Sequence, residues 1–192
     1  LMQANIVTVS QGEHGPNIDE LERSFKMGSA KMFYAVPDFH NPTGVCWPLE
    51  KRQQVAALCI KYNVAFIEDA PYRELRFSGE ELPLVSDFCP DHSIVLRSFS
   101  KVASPGLRVG TITGKQSYLE PLIKVKQGAD LYSCVPVQAL VLGLLQHPDF
   151  PKHLEQVRDL YQSRYNTMFQ ALKTSLPADC KVTPTEGGMF IW

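Results

Sequence analysis

The chain has 192 residues, a formal net charge of −1 and a hydrophobic content of 44%, enough for one large domain or one and a half with a sizeable core. The near-neutral charge leaves no electrostatic footprint for nucleic acid or an anionic membrane surface. No apolar run reaches the length of a bilayer span.

In chain order, Asn5–Val9 is predicted as a strand and 11–16 as a loop. Asn17 is a good N-cap, with Asp19 and Glu20 in a first turn where the helix dipole favours acids. Ile18, Leu21 and Phe25 give that helix its apolar face to about Met27. Lys31–Val36 reads as a second strand, ended by Pro37. After a loop over 37–47, Pro48 suits the first position of a helix running to about Tyr62. Val64–Ile67 is a continuous apolar run of the kind found in central parallel strands. A loop over 73–90 leads to a strand at Ser93–Arg97, a polar loop, and another strand at Arg108–Thr113.

The order β-α-β-α-β predicts an α/β fold with a mainly parallel sheet and helices on both faces. From Lys115 onward the pattern turns helical. Gln138–Gln146 is a compact apolar helix, and Leu154 to Leu176 mark a long amphipathic one. The prolines at 148 and 151 suggest a domain boundary near Phe150, giving domains of 1–150 and 151–192. The chain then reads as a turn at Glu186-Gly187-Gly188 and an apolar strand, Met189–Trp192. Stopping inside that run suggests a fragment.

Five cysteines, Cys46, Cys59, Cys89, Cys134 and Cys180, form neither a CxxC nor an even framework. They read as reduced, mostly packed thiols in a cytoplasm-like compartment, and no metal-ligand spacing appears.

Three loops, each following a predicted strand, carry the polar groups. They are Asn41-Pro42-Thr43-Gly44, Asp69-x-x-Tyr72, and Ser98-x-Ser100-Lys101 with Arg108. Parallel strands bring such loops to one sheet edge, where open α/β sheets bind ligands. Taken singly, the first is an ordinary turn, the second a capping acid and the third a polar surface loop. Taken together, two hydroxyls and a guanidinium suit a phosphate. A lysine held among them can attack a carbonyl. A carboxylate at a buried strand end calls for a cation or donor. Pyridoxal phosphate needs this combination: an amine for its aldehyde, a phosphate grip, a carboxylate for its ring nitrogen and donors for its 3-oxygen.

In order, these motifs resemble the class I/II aminotransferases of pyridoxal-phosphate fold type I. VPDFHNPTG, EDAPYRELRF, SFSKVASPGLRVG and PTEGGMFIW are most similar to the 2-aminoadipate/kynurenine branch, shared with the aminotransferase-like domains of MocR-type regulators. The resemblance covers essentially the whole chain. It implies an incomplete, aspartate aminotransferase-like large domain and the start of an α+β small domain. By carry-over, Lys101 forms the Schiff base and shuttles a proton, Asp69 pairs with the pyridinium nitrogen, and Tyr72 and Asn41 reach the 3-oxygen. Ser98, Ser100 and Arg108 hold the phosphate. Catalysis would fall to Lys101, Asp69 and Tyr72. Gly44 and Gly110 read as backbone-geometry residues, His40 as structural or solvated, and Arg73 and Arg97 as surface or ion-paired.

The family's glycine-bearing phosphate loop and ring-stacking aromatic are not recognisable in 1–36. Its carboxylate-binding arginine would lie beyond Trp192. The implied activity is ping-pong transamination between an L-amino acid and a 2-oxo acid, by a homodimer with no membrane partner. The alternatives are a cofactor-sensing domain behind a DNA-binding helix-turn-helix, with nucleic acid as a partner only in that case, and a β-lyase or decarboxylase on the same fold.

Overall fold

The computed structural model describes residues 4–192. Gln11–Gly12 (β1) and Gly15–Pro16 (β2) form a two-residue antiparallel ribbon. The strand expected at Asn5–Val9 does not form. Its residues find no partner ladder, and Ile6 and Val7 are exposed; strand propensity counts for little without a surface to pack on.

Ile18–Lys26 (α1) starts where the capping argument places it, with the Asn17 side chain accepting from Glu20 N–H at 3.1 Å. Met32–Ala35 (β3) follows. Leu49–Tyr62 (α2) comes next, with Pro48 as its N-cap residue and Asn63 closing it in the left-handed region at φ 51°. Ala65–Asp69 (β4) leads into a long connection holding 3-10 turns at Arg73–Leu75, Val85–Phe88 and Pro90–His92. Ser93–Ser98 (β5) and Gly110–Gly114 (β6) complete a four-stranded sheet in the order β3-β4-β5-β6.

The first two pairings are parallel and the third is antiparallel. The 11 residues between β5 and β6 hold no crossover helix, and a short connection suits an antiparallel partner. Gly110 sits where the ladder closes: a Cβ there would lie 2.7 Å from the Arg97 carbonyl oxygen. β6 is therefore shorter than expected at its start. Arg108 stands outside it in the left-handed region at φ 51°.

The principal core lies between α1, α2 and one sheet face. Leu21, Phe25, Val55 and Cys59 pack with Trp47 and Phe66 there. Phe33 and Phe66, paired in register, present their rings to this face at 5.8 Å. The alternate residues Met32, Tyr34, Ile67, Asp69 and Ile112 share the opposite face by register. Met32, Tyr34 and Ile112 are exposed there.

Three helices follow, Gln116–Ala129 (α3), Val135–Gln146 (α4) and Phe150–Ser175 (α5). No helix among the described residues is long and apolar enough to cross a membrane. Leu154, Val157 and Tyr161 of α5 pack on a second cluster built from Val36, Phe39, Tyr72, Leu75 and Val102. Met189–Trp192 is not a strand. Its residues make one ladder-like bond, from Thr183 N–H to the Trp192 carbonyl at 2.9 Å, and a single bond does not sustain a strand.

Candidate active site

β4 and β5 run parallel with Asp69 opposite Leu96, and Ala70 N–H extends the ladder to the Leu96 carbonyl at 2.9 Å. Both strands therefore end at one edge. Two residues beyond Leu96, Ser98 occupies the same face as Asp69 and feeds the turn carrying Ser100 and Lys101.

Asp69, half-buried, accepts a hydrogen bond at Oδ2 from the Tyr34 hydroxyl at 2.6 Å. That is the range of an O–H bound to an ionised acceptor. The Tyr34 ring is largely exposed, but partial burial toward its hydroxyl, that hydrogen bond, the Asp69 charge and the nearby Tyr72 push the phenol well above its ordinary value. Tyr34, Asp69 and Tyr72 are thus gathered at the ends of β3 and β4. Tyr72 is buried, edge-on to the Phe190 ring at 5.4 Å.

The loop after β5 is held from both sides. Its ends join through Phe99 N–H to the Val109 carbonyl at 3.1 Å, and Ala103 N–H turns back to the Phe99 carbonyl at 2.9 Å. From α5, a ring nitrogen of His153 lies 2.9 Å from the Val102 carbonyl oxygen, so the ring donates. Val102 is buried and its neighbour Lys101 is half-buried. The Ser98 hydroxyl oxygen accepts from Ser100 N–H at 3.3 Å. Arg108 is exposed and donates to the Pro105 carbonyl at 3.3 Å. It stands at the far end of the loop.

Asn41 sits on the turn after β3, exposed and ahead of a cis Asn41–Pro42 bond. The turn is closed by Gly44 N–H to the His40 carbonyl at 2.7 Å, and Gly44 adopts φ 69°. His40 Nδ1 meets Thr43 Oγ1 at 2.9 Å within it, and burial lowers the His40 pKa. Arg73 pairs with Glu81 at 3.0 Å and lies 3.7 Å from Asp38, while Arg97 is 3.5 Å from Glu74.

Sequence reasoning missed three supports. Tyr34 is one. The buried Asp38–Arg52 pair, 2.7 Å apart, is another; it fixes both ends of the Asn41 loop through Arg52 donation to the Trp47 and Pro37 carbonyls. His153 is the third. Strand alternation could have placed Tyr34 on Asp69's face, but nothing local in the sequence joins residues 35 apart.

A cavity of about 810 Å³ lies against the other sheet face, beside Val95, Arg97, Thr111 and Thr113. Of the candidate site residues Ser98 lines it, with its neighbours Phe99 and Val102, while Asn41, Asp69, Tyr72, Ser100, Lys101 and Arg108 do not. The strand edge holds the Tyr34–Asp69 hydrogen bond beside the strand that leads to Lys101, which makes it the candidate site on chemical grounds. No group of three or more acidic, histidine or cysteine side chains suited to a metal occurs among the described residues.

The profile of the family described as Aminotransferase class I and II matches residues 1–192. The 2-aminoadipate transaminase of Thermus thermophilus is 37% identical over all of this chain and 49% of its own length. The HTH-type regulator YcxD of Bacillus subtilis, itself uncharacterised, is 32% identical over 88% of this chain and 38% of its own. Among solved structures, T. thermophilus LysN, an alpha-aminoadipate aminotransferase complexed with N-(5'-phosphopyridoxyl)-L-leucine, superposes with a TM-score of 0.92 at 37% identity, over 97% of this chain and 49% of that one. A kynurenine aminotransferase of Pyrococcus horikoshii also gives 0.92, at 31% identity over 97% and 48%. The chain spans about half the length of these aminotransferases.

Proposed function

Since the chain belongs to the class I and II aminotransferase family, we propose that it is the lysine-bearing part of a pyridoxal-phosphate-dependent transaminase acting on an L-amino acid and a 2-oxo acid. The observation that carries this reading is the parallel register of β4 and β5. It sets Asp69 beside the strand that delivers Ser98, Ser100 and Lys101.

The donor set fits the cofactor. Among the described residues, Asp69 uses one carboxylate oxygen for Tyr34, which leaves Oδ1 for a protonated ring nitrogen. Ser98 ends β5, and Ser100 and Arg108 lie on the loop that follows it, donors of the kind a phosphate needs. Bound there, pyridoxal phosphate supplies an aldehyde and an electron-accepting ring.

The protein's own residues do the rest. Lys101 would hold the cofactor through its amine, and once the substrate's amino group has displaced it, the freed Nζ would take the proton from the substrate α-carbon. Asp69 would keep the proton on the ring nitrogen by favouring its charged form. The Tyr72 hydroxyl and the Asn41 amide would donate to the 3-oxygen. Ser98, Ser100 and Arg108 would orient the phosphate. One site serves both half-reactions, so the cycle is ping-pong. We assign residues 1–150 to the cofactor-binding large domain, 151–192 to the start of the small one, and a homodimer as the working assembly.

A second reading, a cofactor-sensing domain of a transcription regulator, is favoured by the similarity to YcxD. Transaminase turnover by the full-length protein, with release of an oxo acid, separates the two.

Borohydride reduction of the full-length protein incubated with pyridoxal phosphate tests the site. The expected result is a pyridoxyl adduct on Lys101 by peptide mass, absent from Lys101→Ala. An adduct of equal yield in Lys101→Ala overturns the assignment.

A further inference from the structure

We propose that Tyr34 is a positioning residue for Asp69, setting the orientation of the carboxylate that meets the cofactor's ring nitrogen. The inference rests on the reading of Asp69 given above and adds a residue to that site.

Geometry supports the role. Tyr34 pairs with Ile67 in the ladder, and Asp69 is two residues further along β4, so both side chains leave the same face. The phenol crosses from β3 to β4 and reaches Oδ2 at 2.6 Å. Among the described residues it is the sole hydrogen-bond partner of that carboxylate. Burial and the bond itself raise the phenol's pKa, so it stays a donor across the working range.

A carboxylate bound at one oxygen loses rotational freedom about its terminal bond, and the other oxygen takes a fixed heading. The neighbours divide this labour: Tyr72 is packed edge-on to Phe190, while Tyr34, whose ring has no aromatic partner recorded among the described residues, is held at its hydroxyl end.

A cofactor-affinity cycle tests the proposal. The full-length wild type, Tyr34→Phe, Asp69→Ala and the double variant are titrated with pyridoxal phosphate, following bound-cofactor absorbance under equilibrium conditions. Tyr34→Phe is expected to weaken binding about tenfold, in keeping with loss of one hydrogen bond to a charged group. In the Asp69→Ala background the same change is expected to alter affinity less than about twofold, because the phenol no longer has a carboxylate to hold.

Equal losses in both backgrounds would make Tyr34 a packing residue and overturn the proposal. No loss in Tyr34→Phe, with Asp69→Ala strongly impaired, would overturn it while sparing the reading of Asp69. Unchanged affinity in Asp69→Ala would overturn both. Where Asp69→Ala fails to fold, Asp69→Leu, which keeps comparable bulk and offers the phenol no acceptor, takes its place in the cycle.

Discussion

Replacing Arg52 by Met separates the strength of a buried ion pair from that of the packing around it. Arg52 is fully buried on α2, and Asp38 is 2% exposed. The guanidinium donates to Asp38 Oδ1 at 2.7 Å, to the Trp47 carbonyl at 2.9 Å and to the Pro83 carbonyl at 3.0 Å. Met fills much of the same volume but leaves the carboxylate and the carbonyls without those donors. Breaking a buried pair on one side costs about 3–5 kcal/mol. Arg73, with Nη1 3.7 Å from Asp38 Oδ2, remains as a weaker cation, so the expected loss is near the lower end, about 3 kcal/mol. The assay is urea unfolding followed by circular dichroism, with the double variant Arg52→Met/Asp38→Leu alongside. Removing both charges is expected to recover most of the loss, since no unpaired carboxylate is then buried. A loss below about 1 kcal/mol in the single variant, or a double variant no better than the single, would refute the reasoning.

Other expectations rest on sterics and burial. A Cβ on Gly187 would lie 2.4 Å from Phe39 Cζ, and one on Gly188, at φ 77°, would lie 2.5 Å from Phe39 Cβ. Alanine at either position should cost about 2 kcal/mol or more in thermal unfolding; Gly12→Ala, with nothing within 4 Å, is the control and should be close to neutral. Burial pushes the Cys59 thiol up to about 12 and the Cys89 thiol up to about 11. Both should resist iodoacetamide at about pH 8 until the protein is denatured, since the thiolate is the reacting form; mass spectrometry of labelled peptides reads this directly.

Local pattern served well where the environment was uniform. β4 and β5 carry apolar runs at the centre of the sheet, and α1 declares itself through Asn17 and the acids after it. It served poorly where a partner decides the outcome. Asn5–Val9 has the composition of a strand and no ladder to join. β6 has a direction set by the length of the loop before it. At the site, the polar residues after each strand could be picked out because strand ends hold ligands. Tyr34, His153 and Arg52 could not, because each acts on a group brought near only by tertiary folding.

The parallel register between β4 and β5 bears on protein engineering. The stretch joining them runs from Ala70 to His92, yet the separation of Asp69 from the lysine loop is set by backbone pairing. Glu80 and Glu81, exposed on that stretch, are where a library of altered lengths should be accommodated. A one-residue frame change inside Ser93–Ser98 would instead turn Ser98 to the wrong side of the sheet. Directed evolution of this scaffold should therefore find its freedom in the detour and none in the ruler.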